Sequence, residues 1–345
     1  MNKNRWISGI FAFLIGALIL IEIVIHFDIK EIVKNYASFS LYLIFLYVFI
    51  SFSIATVVVL RWKYILKSYG HNVPFKDLFF YRTAAYAIGY VTPTAHIGGE
   101  PMKAYYLKKE HKVPMSKGIS SVLIDRGLEF TGDALFAFIG FIILLFNFTI
   151  STKQTLLVVV LLVFLIAAVF FFYYSLFMKK GFFTSFIEKT KLLRINFFRR
   201  IYKFLRETEK NVNFFFRRRK KDLIIAIAYT AILWVLMFFE YKTALSLIGI
   251  EATAATIFIV LTFVAISYTI PVPAALGALE AGQISAFSLL SLAKIKAVAF
   301  SFLVRGRDLV WVTMGGIFIL CKRRHIVNDI FKKKNDKSKN NKRRV

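Results

Sequence analysis

Two short motifs, each present twice, hold the residues of this sequence whose types and spacing could do chemistry. PTAHIGGE at 93–100 and PAALGALE at 273–280 both begin with proline, contain glycine and end in glutamate. Further along, RGLE runs from Arg126 to Glu129 and RGRD from Arg305 to Asp308, and the offset within this second pair matches that of the first to within one position. Residues three apart share a helix face, so Arg126 can pair with Glu129 and Arg305 with Asp308. Arginine suits bidentate binding of phosphate or carboxylate, and the carboxylates Glu100, Glu129, Glu280 and Asp308 can balance those charges or receive a cationic group or protons. Other chemistries find little support. The five histidines (His26, His71, His96, His111 and His325) form no metal-ligand spacing. The single cysteine, Cys321, allows no intramolecular disulfide or metal cluster. There is no Walker loop, and no metal or cofactor is expected.

The elements that must position these residues are hydrophobic. The chain of 345 residues is 58% hydrophobic and has 39 Phe. Six segments are long enough to cross a hydrocarbon core of roughly 30 Å: 6–27, 40–60, 119–147, 155–178, 223–248 and 297–321. Two further apolar regions are interrupted, one from Phe75 to about Glu110 by Pro93 and one from Thr253 to Ala293 by Pro271 and Pro273. The first has basic flanks on both sides and Arg82 within a short apolar stretch, which favours a re-entrant helix pair; the second fits a re-entrant pair or two complete spans. The expected fold is therefore an all-α integral membrane protein with six full spans plus two broken, re-entrant helix pairs. Each half, about 6–147 and 155–321, reads span, span, broken pair, span. Three crossings per half turn the second upside down relative to the first, and inverted repeats with Pro/Gly-broken helices at matching places are a sequence signature of secondary transporters.

The net charge of +28 falls in particular places. Residues 179–221 hold 15 basic and 3 acidic side chains, and 322–345 hold 11 and 2, whereas Asp28–Phe39 balances at two of each. Lys and Arg collect in cytoplasmic loops, so both termini are expected in the cytoplasm of a multi-pass cell-membrane protein, with anionic lipid as the main partner of the basic surfaces. Basic and aromatic residues interleave in 179–221, which leaves RNA contact as the lesser reading; DNA is not an expected partner. That segment also carries Ile201, Leu205, Val212 and Phe215 at roughly helical spacing, the pattern of amphipathic helices on a membrane surface. The first span follows Lys3 and Arg5 and has no small-x-small cleavage site, so it is read as retained. The tail KKKNDKSKNNKRRV, 332–345, is expected to be disordered.

Depth gives the motifs their meaning. Arg126 lies nine residues past Lys117 and Arg305 nine past Lys296, which on a helix carries each about 13 Å into the bilayer. A charge there costs about 2.5–3.5 kcal/mol on insertion scales, so each arginine must face a partner or a polar cavity. Pro93, Gly98 and Gly99 break one helix and Pro271, Pro273 and Gly277 the other; the exposed backbone at such breaks is tolerable only inside protein or along a water-filled cavity. Glu100 and Glu280 then join the arginines of the following helices to make a charge-balanced cavity at mid-depth, with the breaks as gates. Arg82 and Lys103 could bind an anionic head group, and Lys103 could equally be a loop charge. His96 is read as a turn residue, Glu22 and Glu240 as span-end or packing residues, and Arg307 as a supplement to Arg305. The bland alternative is that the pairs are static and only hold helices together.

At GGEPMKAYYL, RGLE and PVPAALGALEAG the sequence resembles the flippase-like membrane family that includes the transmembrane half of the bacterial lysylphosphatidylglycerol synthase/flippase, the multiple peptide resistance factor. The resemblance covers roughly residues 5–321. It departs after the second proline, where Gly-Gly is expected and Ala274-Ala275 stands. It implies movement of a lipid between leaflets: phosphatidylglycerol, its lysyl derivative or a polyprenyl-linked sugar. Lysyl transfer from charged tRNA belongs, in the two-part synthases, to a separate soluble domain, so lysyltransferase activity and tRNA binding are not favoured for this chain. A non-catalytic role beside a lipid-modifying enzyme is the third alternative.

Overall fold

The protein is described by a computed structural model that covers residues 40–94, 97–147, 182–189 and 196–342, with isolated positions between 156 and 174. The expected span at 6–27, most of that at 155–178, and His96 lie outside the described residues. Among the described residues the regular structure is helical: α1 (Leu41–Ser68), α2 (Phe75–Val91), α3 (Glu100–His111), α4 (Met115–Asn147), α5 (Phe182–Lys189), α6 (Asn196–Arg218), α7 (Lys220–Leu247), α8 (Ala254–Thr269), α9 (Ala278–Leu289) and α10 (Lys294–Lys342). Helices α1, α4 and α7 are long and apolar enough to cross a membrane, and they cover, to within one residue, the spans expected at 40–60, 119–147 and 223–248. They keep large apolar side chains exposed, among them Phe45 and Phe49 on α1 and Ile224 and Val235 on α7, as helices bathed in lipid do. The span expected at 297–321 lies within α10, whose apolar run is interrupted by Arg305, Arg307 and Asp308.

Each proline motif separates two short helices. Helices α2 and α3 have 17 and 12 residues, and α8 and α9 have 16 and 12. At 1.5 Å per residue none exceeds about 26 Å. A residue before proline is pushed out of the α region, and Thr92 and Ile270, which end α2 and α8, are both extended. Pro101 in the first turn of α3 does no harm, because the N–H it lacks would have no helical partner there. The members of each pair pack on one another, α2 on α3 and α8 on α9.

The packing is crosswise. Helix α4 holds α3 and also α8, while α10 holds α9 and also α2; α1 and α7 lie against each other. Two glycines permit the crossed contacts: a Cβ at Gly140 of α4 would meet the Phe258 carbonyl on α8, and one at Gly315 of α10 would meet the Thr83 carbonyl on α2. Small residues at such crossings are how membrane helices approach closely. Side chains such as Tyr241, Val260, Leu279, Phe287 and Phe300 form the largest buried cluster. A second cluster gathers Trp62, Leu66, Leu78, Tyr81 and Leu107.

Two expectations change. The amphipathic segment does form helices, but Val212 and Phe215 of α6 turn onto protein rather than lipid, packing with Ile65 and Tyr69 of α1, Ile124 and Leu128 of α4 and Ala226 of α7. The tail expected to be disordered continues α10 to Lys342; no Gly or Pro stands between Lys322 and Lys342, so nothing in its composition breaks the helix. At the start of that extension Lys322 bonds both oxygens of Glu110 at 2.8 Å, and Tyr81 donates to Glu110 at 3.0 Å. Burial pushes the Glu110 carboxyl up, but these hydrogen bonds outweigh it and leave it below its ordinary value. The contact that ties α3 to α10 is therefore held at neutral pH and is lost only as pH falls through that lowered value.

The two breaks make opposite predictions. A Cβ at Gly99 would run into the Ala85 carbonyl, so Gly99→Ala is expected to destabilise by roughly 1–3 kcal/mol through overpacking. At the other break Ala274 and Ala275 hold φ of 55° and 48°, the left-handed region that costs an L-residue roughly 1–2 kcal/mol. Ala274→Gly and Ala275→Gly should each stabilise by about 1 kcal/mol, read as a raised unfolding temperature in detergent. A fall at both alanines would refute the strained turn.

Candidate functional site

The first constellation is built where α3 begins. The break at Pro93 delivers Glu100 to the first turn of α3, and α4 runs past it with Arg126 on the facing side. Arg126 Nε donates to Glu100 Oε1 at 2.7 Å, its Nη2 reaches the same oxygen, and its Nη1 donates to Glu129 Oε2 at 3.0 Å. Two of its N–H donors have no partner among the described residues. Lys103 is buried, with Nζ 2.9 Å from Glu100 and 5.3 Å from the centre of the Trp62 ring. It is thus buried within the helix packing beside Glu100. Arg82 of α2 is half-buried, faces Glu129, Arg126 and Asp125, and makes no hydrogen bond to a described residue. Gly98 donates its N–H to Thr94 Oγ1 at 2.8 Å, which closes the turn before Gly99.

The second constellation repeats the plan at the start of α9. Arg305 of α10 binds Glu280 in bidentate fashion, Nε to Oε1 at 2.9 Å and Nη2 to Oε2 at 3.1 Å. Glu280 also accepts from the Gly277 N–H at 2.8 Å. The strained turn after Pro273 aims the Ala274 and Ala275 carbonyls at the same guanidinium, the latter at 3.1 Å. Tyr90, from α2 of the other pair, takes the remaining donor at 3.2 Å. All five donors of Arg305 are therefore occupied, whereas Arg126 keeps two open.

The expected pair Arg305–Asp308 is not formed. Asp308 accepts from Arg307 at 2.9 and 3.2 Å and from the Tyr268 hydroxyl at 3.0 Å. Arg305 is instead turned toward α9, where Glu280 and two carbonyls satisfy it. Pro271 and Pro273 lie in the break itself, and the residues between them and α9 form a short 3₁₀ turn, Pro273–Ala275.

Sequence reasoning left out the ion pairs that join the long helices. Arg61 of α1, fully buried, binds Asp125 of α4 at 2.7 Å and Thr230 of α7 at 3.1 Å, with Glu129 at 3.6 Å. Glu240 of α7, also buried, binds Arg307 of α10 at 2.7 Å. Arg61 stands as far past Leu41, the start of α1, as Glu240 stands past Lys220, the start of α7. The two occupy equivalent places with charges exchanged. The offset between them equals that between RGLE and RGRD, and this was the available signal. Arg126 is likewise as far past Met115, the first residue of α4, as Arg305 is past Lys294, the first of α10. Among the described residues no group of three or more His, Cys, Asp or Glu could hold a metal.

Leaving one member of a buried pair alone is far worse than removing both. Arg61→Met is accordingly expected to cost about 3–5 kcal/mol, and Arg61→Met with Asp125→Leu clearly less than the single change, in a detergent unfolding cycle. Additive losses would mean that the two residues do not act as a pair.

Comparison with known proteins identifies relatives of unspecified activity. A UPF0104 membrane protein of Methanocaldococcus jannaschii is 26% identical over 138 residues, 40% of each chain. A UPF0104 membrane protein of Methanothermobacter thermautotrophicus is 28% identical over 122 residues, 35% of this chain and 36% of that protein. The chain thus spans about two fifths of the length of the curated relatives it matches. No solved structure matches it. The match to a family model is much longer, residues 9–316, and contains both constellations: the chain belongs to the family described as the lysylphosphatidylglycerol synthase TM region.

Proposed function

We propose that this integral membrane protein moves a phospholipid or lipid-linked head group between leaflets through a polar cavity built from the two constellations. The observation that carries the reading is the duplicated site. In each of two broken helix pairs the break is followed by a buried glutamate, and each glutamate is bound by an arginine at the same place in the long helix after the pair. Completed by spans at 6–27 and 155–178, the halves form an inverted repeat of three crossings each, with both termini cytoplasmic. In such transporters the binding site sits at the repeat interface and the repeats rock around it.

In this reading the guanidiniums take the phosphate. Arg126, with two open donors, and Arg82, without a hydrogen-bonded partner among the described residues, form the receptive face. Lys103 steadies Glu100. Arg305 is withdrawn from the substrate by Glu280 and the Ala274 and Ala275 carbonyls, so the two constellations differ as the two ends of an alternating-access cycle must. The head group crosses in the polar interior while its chains stay in lipid. Pro93, Gly98 and Gly99 at one break, and Pro271, Pro273 and Gly277 at the other, are the gating points. A substrate drives this motion only if it binds one facing state better than the other.

The test is reconstitution in liposomes with labelled anionic and lysyl phospholipids. Wild-type protein is expected to move at least one of them faster than empty liposomes do. Hydrogen bonds to charged groups contribute about 1.5–3 kcal/mol, so Arg126→Gln and Arg305→Gln should each slow the movement roughly 10- to 100-fold. Undiminished movement in folded, inserted variants would make the pairs static struts and end this reading.

A further inference from the structure

The two constellations do not carry the same formal charge. Around Arg126 stand Arg61, Arg82 and Lys103 against Glu100, Asp125, Glu129 and Asp133, four of each sign. Among the described residues, Arg305 is accompanied by Arg307 against Glu240, Glu280 and Asp308, two cations facing three carboxylates. One of the changed positions is visible in the repeat. Lys103 follows Glu100 by three residues; the residue three past Glu280 is Gln283, which meets Ser301 instead of an ion. Arg305 and Glu280 cancel. The surplus negative charge therefore belongs to Glu240 and Asp308, which share the single guanidinium of Arg307.

A net buried charge in a membrane interior is costly, and the geometry shows where it is relieved. Both oxygens of Asp308 are bonded, Oδ1 by Arg307 and Oδ2 by Tyr268. Glu240 offers Oε2 to Arg307, while its Oε1 is buried away from any cation, with the Ser51 hydroxyl of α1 the neighbouring donor. The Tyr47 hydroxyl of α1, which feels the same charges, is buried and unpartnered. The other groups facing Glu240 are Tyr241 of α7, Arg307 and Asp308 of α10, and Ser51 of α1, whose hydroxyl accepts from Trp311 at 3.3 Å. No second cation is among them. A groove of about 410 Å³ between α1 and α10 is lined by Tyr47, Ser51 and Arg307, three residues around the cluster.

We propose that Glu240 is a proton-binding site and that this proton is the coupling ion of lipid movement. The proton, taken from the aqueous phase, sits on Oε1 and turns the carboxylate into a neutral acid whose O–H faces Tyr47. The cluster is then neutral, and Arg307 is held by Asp308 alone among ionised partners. Its second valence is released for an anionic head group; when the head group leaves, Glu240 loses its proton to the opposite aqueous phase and takes Arg307 back. The coupling half of this inference rests on the transport reading above; the proton site does not.

Two measurements on the full-length protein separate them. In pH-difference infrared spectra of detergent-solubilised protein, a protonated-carboxyl C=O band is expected near neutral pH, abolished by Glu240→Gln and displaced by Glu240→Asp. A band indifferent to both changes overturns the proton site, and the Asp variant decides alone if the Gln variant does not insert. In proteoliposomes a pH gradient of one unit is worth about 1.36 kcal/mol, a factor of about ten. Wild-type lipid movement should respond by up to that factor, and Glu240→Gln should not respond. Movement indifferent to the gradient in wild type overturns the coupling. A Glu240-dependent band with no lipid movement at all supports the proton site and overturns the transport reading instead.

Discussion

An ion inside a membrane must find its counter-ion within protein, and the arrangement of this molecule follows from that requirement. Arg61, Arg126, Arg305 and Arg307 all sit on helices otherwise suited to lipid, and every one of them is bonded to at least one carboxylate. Because the partner lies on another helix in each case, the same bonds that neutralise charge fix which helices adjoin. Arg61 ties α1 to α4 and α7, Arg307 ties α10 to α7, and the two glutamates at the breaks tie α3 to α4 and α9 to α10. The carbonyls of Ala274 and Ala275, in the turn between α8 and α9, are absorbed by Arg305, so the irregular backbone and the buried charge solve each other's problem.

Much of this was legible in the sequence because it is written in strong signals. Proline forbids a continuous helix, so both breaks fall at the expected residues. A charge deep in an apolar run must be paired, so Glu100 with Arg126 and Glu280 with Arg305 come together as the motifs implied. Helices α1, α4 and α7 were visible as apolar runs of sufficient length. What escaped is choice among partners of similar reach. Asp308 had two arginines within three residues and took the nearer, Arg307, because Arg305 was already claimed from another helix. Lys103 read equally as loop or site, and its burial against the Trp62 ring of α1 depends on a helix that spacing alone does not bring near. Arg61 escaped because it falls just past the expected span at 40–60, among basic residues of the following segment, and Glu240 because it differs in sign from its counterpart, so a search for repeated residue types passes over both. The face of α6 escaped for a related reason: an apolar stripe does not say whether lipid or protein covers it.

The departure at Ala274-Ala275 has a structural counterpart. The resemblance calls for Gly-Gly there, and the backbone is left-handed at both alanines, so the turn keeps the geometry that glycine would allow freely. Its carbonyls must point at Arg305, and that bond, made by a full guanidinium charge, is strong enough to hold alanine where it would not otherwise rest. Strain of this kind persists only where the surroundings over-determine it.

The crosswise packing has a mechanical consequence. Helix α10 grips its own broken pair through Arg305 and the foreign pair through Gly315 and the Tyr90 hydroxyl, and α4 reaches across likewise to α8 at Gly140. A tilt of α10 that slackens the bond to Glu280 therefore pulls on α2, whose far end is the other break, and a tilt of α4 returns the pull through α8. The two breaks are thus joined through the long helices that cross between the pairs, and the close approaches at Gly140 and Gly315 are what any separation of the pairs must undo.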